Sequence, residues 1–145
     1  MFLNELNKKE GNAFINLVKH LAMVDDHFAS EEKNLLKEYM DELGLCAKCS
    51  EALNQEQTLD MLKESSERVR NIVYFEILGL ALVDGEFDEK EVEFIDKVAN
   101  SLGIKEEKVK SFLQFFRDVQ FMYEVTYSNH EDRIKEIEEM AKVLI

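Results

Sequence analysis

Proline is absent from this sequence, and glycine occurs only five times in 145 residues. A fold of many strands and tight turns normally needs more of both, because these residues supply the backbone angles of turns. Helices need neither. The chain is 46% hydrophobic, which is enough for the core of one ordinary domain. These shortages favour an all-α fold in a single domain that covers residues 1–145.

Cysteine and long apolar runs are also scarce. Cys46 and Cys49 form a lone CxxC, without the further ligands of a zinc site or the βαβ context of a redox motif. The longest apolar stretch runs from Ile72 to Val83, interrupted by Glu76, and is too short to span a bilayer. No secretory signal is visible. We therefore expect a cytoplasmic protein with no direct membrane insertion, in which both thiols are dispensable.

Basic residues are few relative to acidic ones: 18 against 31, for a net charge of −13. Such a surface repels phosphate, which disfavours nucleic acid and anionic membrane as partners. Cations and basic protein surfaces are the partners that this charge favours. The alternative interpretation is a surface that serves solubility alone.

Apolar residues recur at helical spacing along most of the chain. The predicted helices run from Phe14 to Val24, from Glu31 to the stop at Gly44, around 70–83, from near Asp88 to the stop at Gly103, along a stripe from Phe112 to Met122, and from Ile134 to Leu144. Gly44 is predicted to take the left-handed conformation that helix ends favour. A short helical piece is expected near Cys46 or Cys49, and residues 54–58 are the predicted linker.

One segment of the chain is repeated. Residues 21–45 and 80–104 align without a gap at an offset of 59. The identical pairs are Leu21/Leu80, Ala22/Ala81, Val24/Val83, Asp25/Asp84, Phe28/Phe87, Glu32/Glu91, Leu43/Leu102 and Gly44/Gly103. The predicted fold is thus a single-domain helical bundle. It has two internally repeated helix–turn–helix units, about 13–50 and 72–113, followed by C-terminal helices.

Each repeat carries an acidic turn of the form Val-Asp-x-x-Phe-x-x-x-Glu. The Glu falls in the first turn of a helix, where a carboxylate complements the helix dipole, whereas the Asp falls at a helix C-terminus, where it does not. Two interpretations remain open. The Asp accepts backbone hydrogen bonds locally, or a divalent cation such as calcium, magnesium or manganese bridges the carboxylates. The candidate ligands are Asp25, Asp26, Glu32, Asp84, Glu86, Asp88 and Glu91.

These turns are not EF-hand loops. If the loop is placed so that its final glutamate is Glu91, its first ligand positions fall on Leu80 and Leu82, which cannot ligate. If the loop starts at Asp84, Glu89 stands where glycine is required. Each turn therefore supplies a partial ligand set, and a site needs both turns together or bound water.

The doubled helix–Val-Asp-Gly-x-Phe-x-x-x-Glu–helix-Leu-Gly-Ile pattern resembles the TerB-like family, named after the bacterial tellurite-resistance protein. The resemblance covers residues 13–104, and Asp25, Glu32, Asp84 and Glu91 match the acidic residues of the family by position. It implies a bacterial cytoplasmic domain without enzymatic activity. It also implies a role in metal or chemical stress response and partner proteins that are often membrane-associated. The sequence departs from the pattern at Asp26-His27, where the family prefers glycine followed by a polar residue.

The alternative function is a protein-interaction or oligomerisation module without a metal site. Phe121 and Tyr123 lie off the apolar stripe of the Phe112–Met122 helix. They either pack against the last helix or mark a surface for a partner or for a homo-oligomer.

Overall fold

Helices make up all the regular structure in the part of the chain that the computed structural model describes, residues 2–24, 30–45, 51–82, 89–125 and 130–145. A 3₁₀ turn at Leu3–Glu5 precedes the α-helices. These are α1 (Lys8–Val24), α2 (Ser30–Glu42), α3 (Gln55–Lys63), α4 (Glu67–Leu82), α5 (Glu89–Leu102), α6 (Glu106–Val125) and α7 (His130–Leu144). The prediction of an all-α fold is confirmed. None of the described helices combines the length and the apolar character that crossing a bilayer requires.

The linker predicted at residues 54–58 is wrong, because α3 begins there. Asn54 is the N-cap of α3 and accepts a hydrogen bond from the Gln57 backbone, while the Gln57 side chain accepts one from the Asn54 backbone. This reciprocal capping box satisfies two backbone donors that a helix start leaves unpaired. Leu59 and Leu62 then bury the inner face of the helix. The polar run that resembled a linker is therefore a helix start.

The core forms where α1, α3, α4 and α5 pack together, and α4 contributes the largest share. Most of α4 from Ile72 to Leu78 is buried, as its nearly continuous apolar sequence predicts. The aromatic stripe of α6 packs against this helix. The Phe75 ring lies 5.5 Å from that of Phe112, 5.3 Å from Phe115 and 4.9 Å from Phe116, measured between centroids. The C-terminal helix α7 packs on α6.

Both predicted glycine stops have the same geometry. Gly44 and Gly103 have φ angles of 63° and 66°, in the left-handed region. The backbone N–H of Leu45 donates to Met40 at 2.8 Å, and that of Ile104 donates to Ala99 at 2.9 Å. These are the six-to-one bonds of a Schellman motif, which satisfies the last carbonyl groups of a helix. Both α2 and α5 therefore end in this motif, at positions 59 residues apart.

Other features also recur at this offset. The helices α1 and α4 start at Lys8 and Glu67, and α2 and α5 start at Ser30 and Glu89. Gly11 of α1 lies against the Leu43 side chain. At the equivalent place in α4, Arg70 Nη1 donates to the Leu102 carbonyl at 2.9 Å. A repeated unit would produce this agreement, and the repeat itself stays a prediction from the sequence.

Candidate cation site

The predicted ligands fall mainly outside the described residues: Asp25, Asp26, Asp84, Glu86 and Asp88 do so, as do Cys46 and Cys49. The two glutamates fall within described helices. Glu32 and Glu91 are each the third residue of their helix, α2 and α5. This is the first-turn position that the sequence predicts, where a carboxylate is stabilised by the helix dipole. Glu91 is 6% exposed, which is unusual for a carboxylate.

One helix end beside each of the two acidic segments lines a shared depression. Met23 and Val24, at the end of α1, line the same depression as Lys90, Glu93 and Phe94, near the start of α5. The volume of this depression is about 390 Å³. The chain therefore enters the first acidic segment and leaves the second at the same end of the molecule. A site that uses both turns requires this arrangement.

The wall of the depression also contains residues that the sequence analysis did not select. Gln55, at the start of α3, accepts a hydrogen bond from Lys97 Nζ at 3.2 Å. Lys90 and Lys97 bring two ammonium groups to the wall, and Glu93 brings one carboxylate. Lysines beside carboxylates compete with a bound cation, because both neutralise the same negative charge. The wall therefore favours weak cation binding over tight binding. No periodicity or motif singled these residues out, since the contact depends on how α3 and α5 pack.

A row of polar side chains along α1 holds the chain that leads into α3. Asn12 and Asn16 both donate to the Glu51 carbonyl, at 3.2 Å and 2.9 Å, and the Leu53 N–H donates to Asn16 Oδ1 at 3.1 Å. His20 continues the row and hydrogen-bonds the backbone of Leu53; burial lowers the pKa of His20. This row therefore positions residues 51–54, the start of α3 and with it Gln55. The residues lie four apart, which places them on one helix face.

Glu76, the one charged residue of the apolar run, has a structural contact. It is 8% exposed, and its Oε1 accepts the backbone N–H of Phe2 at 2.8 Å. Phe2 and Leu3 are buried beside it. The carboxylate thus binds the segment that precedes α1 to the central helix.

The C-terminal helices expose apolar side chains. Phe121 is 64% exposed, Ile134 47% and Val143 86%. A cleft of about 650 Å³ also lies between α6 and α7, lined by Phe115, Met140 and Leu144 among others. Phe121 is thus mostly exposed, and its role as a surface for a partner or a homo-oligomer stays a prediction. Nothing is described of the Tyr123 side chain.

Comparison of the chain with protein-family models, curated proteins and solved structures found no match. Within the described ranges, no three or more His, Cys, Asp and Glu side chains are placed to hold a metal ion. The cation hypothesis thus depends on the acidic segments 25–32 and 84–91 together, and on the depression lined by the end of α1 and the start of α5.

Proposed function

We propose that the chain is a non-catalytic helical binding module of the TerB-like kind, and that its two acidic segments together hold one divalent cation. The observation that carries the proposal is the shared depression at the end of α1 and the start of α5. Met23 and Val24 lead into the first segment there, and Lys90 lies in the second. A cation bound by both partial ligand sets would have the clustered oxygen ligands that a hard cation prefers.

Electrostatics favour a cation at this place. Asp25 directly follows the last residue of α1, and Asp84 lies two residues beyond the end of α4. A helix C-terminus already carries partial negative charge, so each aspartate adds charge where it is disfavoured. A bridging cation would offset this repulsion. Lys90 and Lys97 would do the same in its absence, which is why the proposed affinity is weak.

The relationship to TerB-like domains is supported by the doubled motif and by features that recur at an offset of 59. These features are the helix starts, the Schellman ends at Gly44 and Gly103, and the contacts of Gly11 and Arg70 with those ends. By this resemblance the module acts in the cytoplasm, in metal or chemical stress response. Its partner would be a protein, often one associated with a membrane.

Thermal unfolding with and without divalent cations tests the proposal. A cation at ten times its dissociation constant adds about 1.4 kcal/mol of stability by mass action. In a chain of this size that raises the Tm by roughly 4 °C. Millimolar calcium, magnesium or manganese should raise the Tm, whereas sodium chloride of equal ionic strength should not. The shift should shrink in Asp84→Asn/Glu91→Gln and, to a smaller extent, in Asp25→Asn/Glu32→Gln.

A matched control separates a site from general screening of charge. Glu136 and Glu138 are exposed on α7, which packs against α6. The Glu136→Gln/Glu138→Gln variant removes two carboxylate charges, as each of the other double variants does, and should keep the full cation response. Because Glu91 is buried, each variant is compared with its own Tm in the absence of cation. An equal response in all variants, or none beyond that of sodium, would contradict the proposal.

The second candidate function is a protein-interaction or oligomerisation module in which the acids are only helix caps. The exposed apolar side chains of α6 and α7 favour it, because large exposed apolar groups often mark contact surfaces. Sedimentation velocity over a range of concentrations tests self-association. If the chain is an oligomerisation module, a dimer or larger oligomer should form as the concentration rises, and Phe121→Ser should abolish it. The Tm should then show no response to divalent cations. A monomer at all concentrations would contradict that form.

A further inference from the structure

A second cavity lies on a different side of the molecule, between α4, α5 and α6. Its volume is about 730 Å³, within the range of roughly 300–1,000 Å³ that is typical of small-molecule sites. The walls are mainly apolar, with Leu78 on α4, Ile95 on α5 and Leu113 on α6. The residues with polar groups among its described lining are Tyr74, Asp96, Arg117 and Gln120. This combination of apolar walls and a few polar groups suits a small amphipathic molecule.

The cavity arises from the helix packing. Both α5 and α6 pack against α4, but they make little contact with each other, so a cleft opens between them above α4. On α6, Phe116 is fixed by stacking on Phe75 at 4.9 Å. It lies so close to α4 that a Cβ on Gly79 would approach its Cζ to 2.8 Å. This wall is therefore preformed, and a ligand would not have to order it.

Several apolar side chains of this cleft stay partly open to solvent. They belong to three different helices and are all half-buried: Leu82, Val92, Leu113 and Val119. Removing apolar surface from water is favourable in proportion to its area. A chain of methylene groups laid between α5 and α6 would bury these side chains along with itself.

The charges around the cleft favour a cationic head group over an anionic one. Asp96 lines the cavity and lies near the buried Tyr74. Burial, and to a smaller extent the Asp96 carboxylate, raises the pKa of Tyr74 to about 12. The whole chain carries a net charge of −13, which attracts cations from solution. Arg117 lies on the opposite wall, on α6, and both it and Asp96 are exposed, so solvent screens the two charges alike. The net charge of the chain therefore decides in favour of a cation.

We propose that the cleft between α4, α5 and α6 binds an amphipathic organic cation, with its apolar chain between α5 and α6 and its ammonium group at Asp96. The described residues that line this cleft differ from those that line the depression at Val24 and Lys90, and the test does not depend on the proposed divalent cation.

Calorimetric titration with alkyltrimethylammonium ions below their micellar concentrations tests the proposal. Octyltrimethylammonium should bind one per chain. Affinity should rise from butyl to octyl by up to roughly fourfold for each methylene, the effect of burying that group fully. Tetramethylammonium, which has the head group alone, should bind far more weakly. Octanoate, which has a similar chain and the opposite charge, should also bind more weakly.

Three variants locate the binding. Asp96→Asn should weaken octyltrimethylammonium binding roughly two- to fivefold, as expected for a partly exposed charge contact. Glu107→Gln is the control, because it removes one exposed charge from α6, outside both the cleft and the depression at Val24 and Lys90. Leu113→Trp should fill the cleft and abolish binding, provided that circular dichroism shows an unchanged helix content. Octanoate binding as tightly, no dependence on chain length, or equal affinity in Asp96→Asn and Glu107→Gln would overturn the proposal.

Discussion

Asn16 lies on the buried face of α1 and bonds to three backbone groups. Its Nδ2 donates to the carbonyls of Asn12 and Glu51, both at 2.9 Å, and its Oδ1 accepts from Leu53 at 3.1 Å. Because Asn16 is only 3% exposed, water cannot replace these bonds. An asparagine between Ile15 and Leu17, in an apolar stretch of α1, could be noticed in the sequence. Its bonds to Glu51 and Leu53 could not, because these residues lie 35 and 37 residues further along the chain.

We expect Asn16→Ala to lower the free energy of unfolding by about 1–3 kcal/mol, because it leaves buried backbone groups without partners. Urea denaturation followed by circular dichroism measures this value. Asn100→Ala is the control, since Asn100 is exposed on α5, and it should change stability by less than about 0.5 kcal/mol. Equal effects of the two variants would mean that the contact between α1 and residues 51–53 is dispensable.

Tyr74 makes stability depend on alkaline pH. Burial and the nearby Asp96 carboxylate raise its pKa from the ordinary tyrosine value of 10.0 to about 12 in the folded chain. The contribution of Tyr74 to the free energy of unfolding is thus fully present below pH 10. It is lost as the pH rises from 10 through 12, because this tyrosine ionises at a lower pH in the unfolded chain than in the folded one. A difference of two pKa units corresponds to roughly 2–3 kcal/mol.

The measurement is urea denaturation of the native chain and of Tyr74→Phe at about pH 9 and about pH 11.5, on either side of the ordinary tyrosine pKa. The native chain should lose more stability than the variant over this interval, since phenylalanine cannot ionise. Parallel losses in both proteins would show that Tyr74 ionises at its ordinary pKa. Lysines also titrate in this range, and the comparison between the two proteins removes their contribution.

At the scale of helices, the sequence predicts starts and stops well where a local signal exists. The glycine stops of α2 and α5 were predicted because left-handed φ angles favour glycine. The α6 stripe was predicted because its phenylalanines recur at helical spacing. The linker at 54–58 was wrong because the Asn54/Gln57 cap and a turn have similar polar compositions. Packing between distant helices, which forms both the depression and the cleft, leaves no such signal.

The two glycine stops allow a matched pair of substitutions. Gly44→Ala and Gly103→Ala should each destabilise the chain by about 1 kcal/mol, because alanine is strained at positive φ. Gly103→Ala should cost more. Its Cβ would lie 3.3 Å from Arg70 Nη1, which donates to Leu102, whereas nothing lies within 4 Å at Gly44. Thermal unfolding compares the two variants. A larger loss for Gly44→Ala would contradict this role of Arg70.

For the whole molecule, the excess of acidic residues does not by itself define a site. Where the fold places the helix ends beside the two acidic segments matters more, and only the tertiary structure could show it. The sequence supplied the repeated aspartate and glutamate. The packing of α1, α3 and α5 places Val24, Gln55 and Lys90 around one depression. The sequence alone left open whether each turn acts separately or both act together, and the shared cation is our proposal.

The number of cations bound per chain tests this claim most directly. Titration calorimetry with manganese, in sodium chloride concentrated enough to screen the surface, should give one weak site per chain. Substitution in either segment should weaken that one site, more strongly in the second segment than in the first, because neither half is complete alone. The informative variants are therefore Asp25→Asn/Glu32→Gln and Asp84→Asn/Glu91→Gln, measured separately. Two independent sites, each lost with its own segment only, or no binding above the level of Glu136→Gln/Glu138→Gln would contradict the shared site.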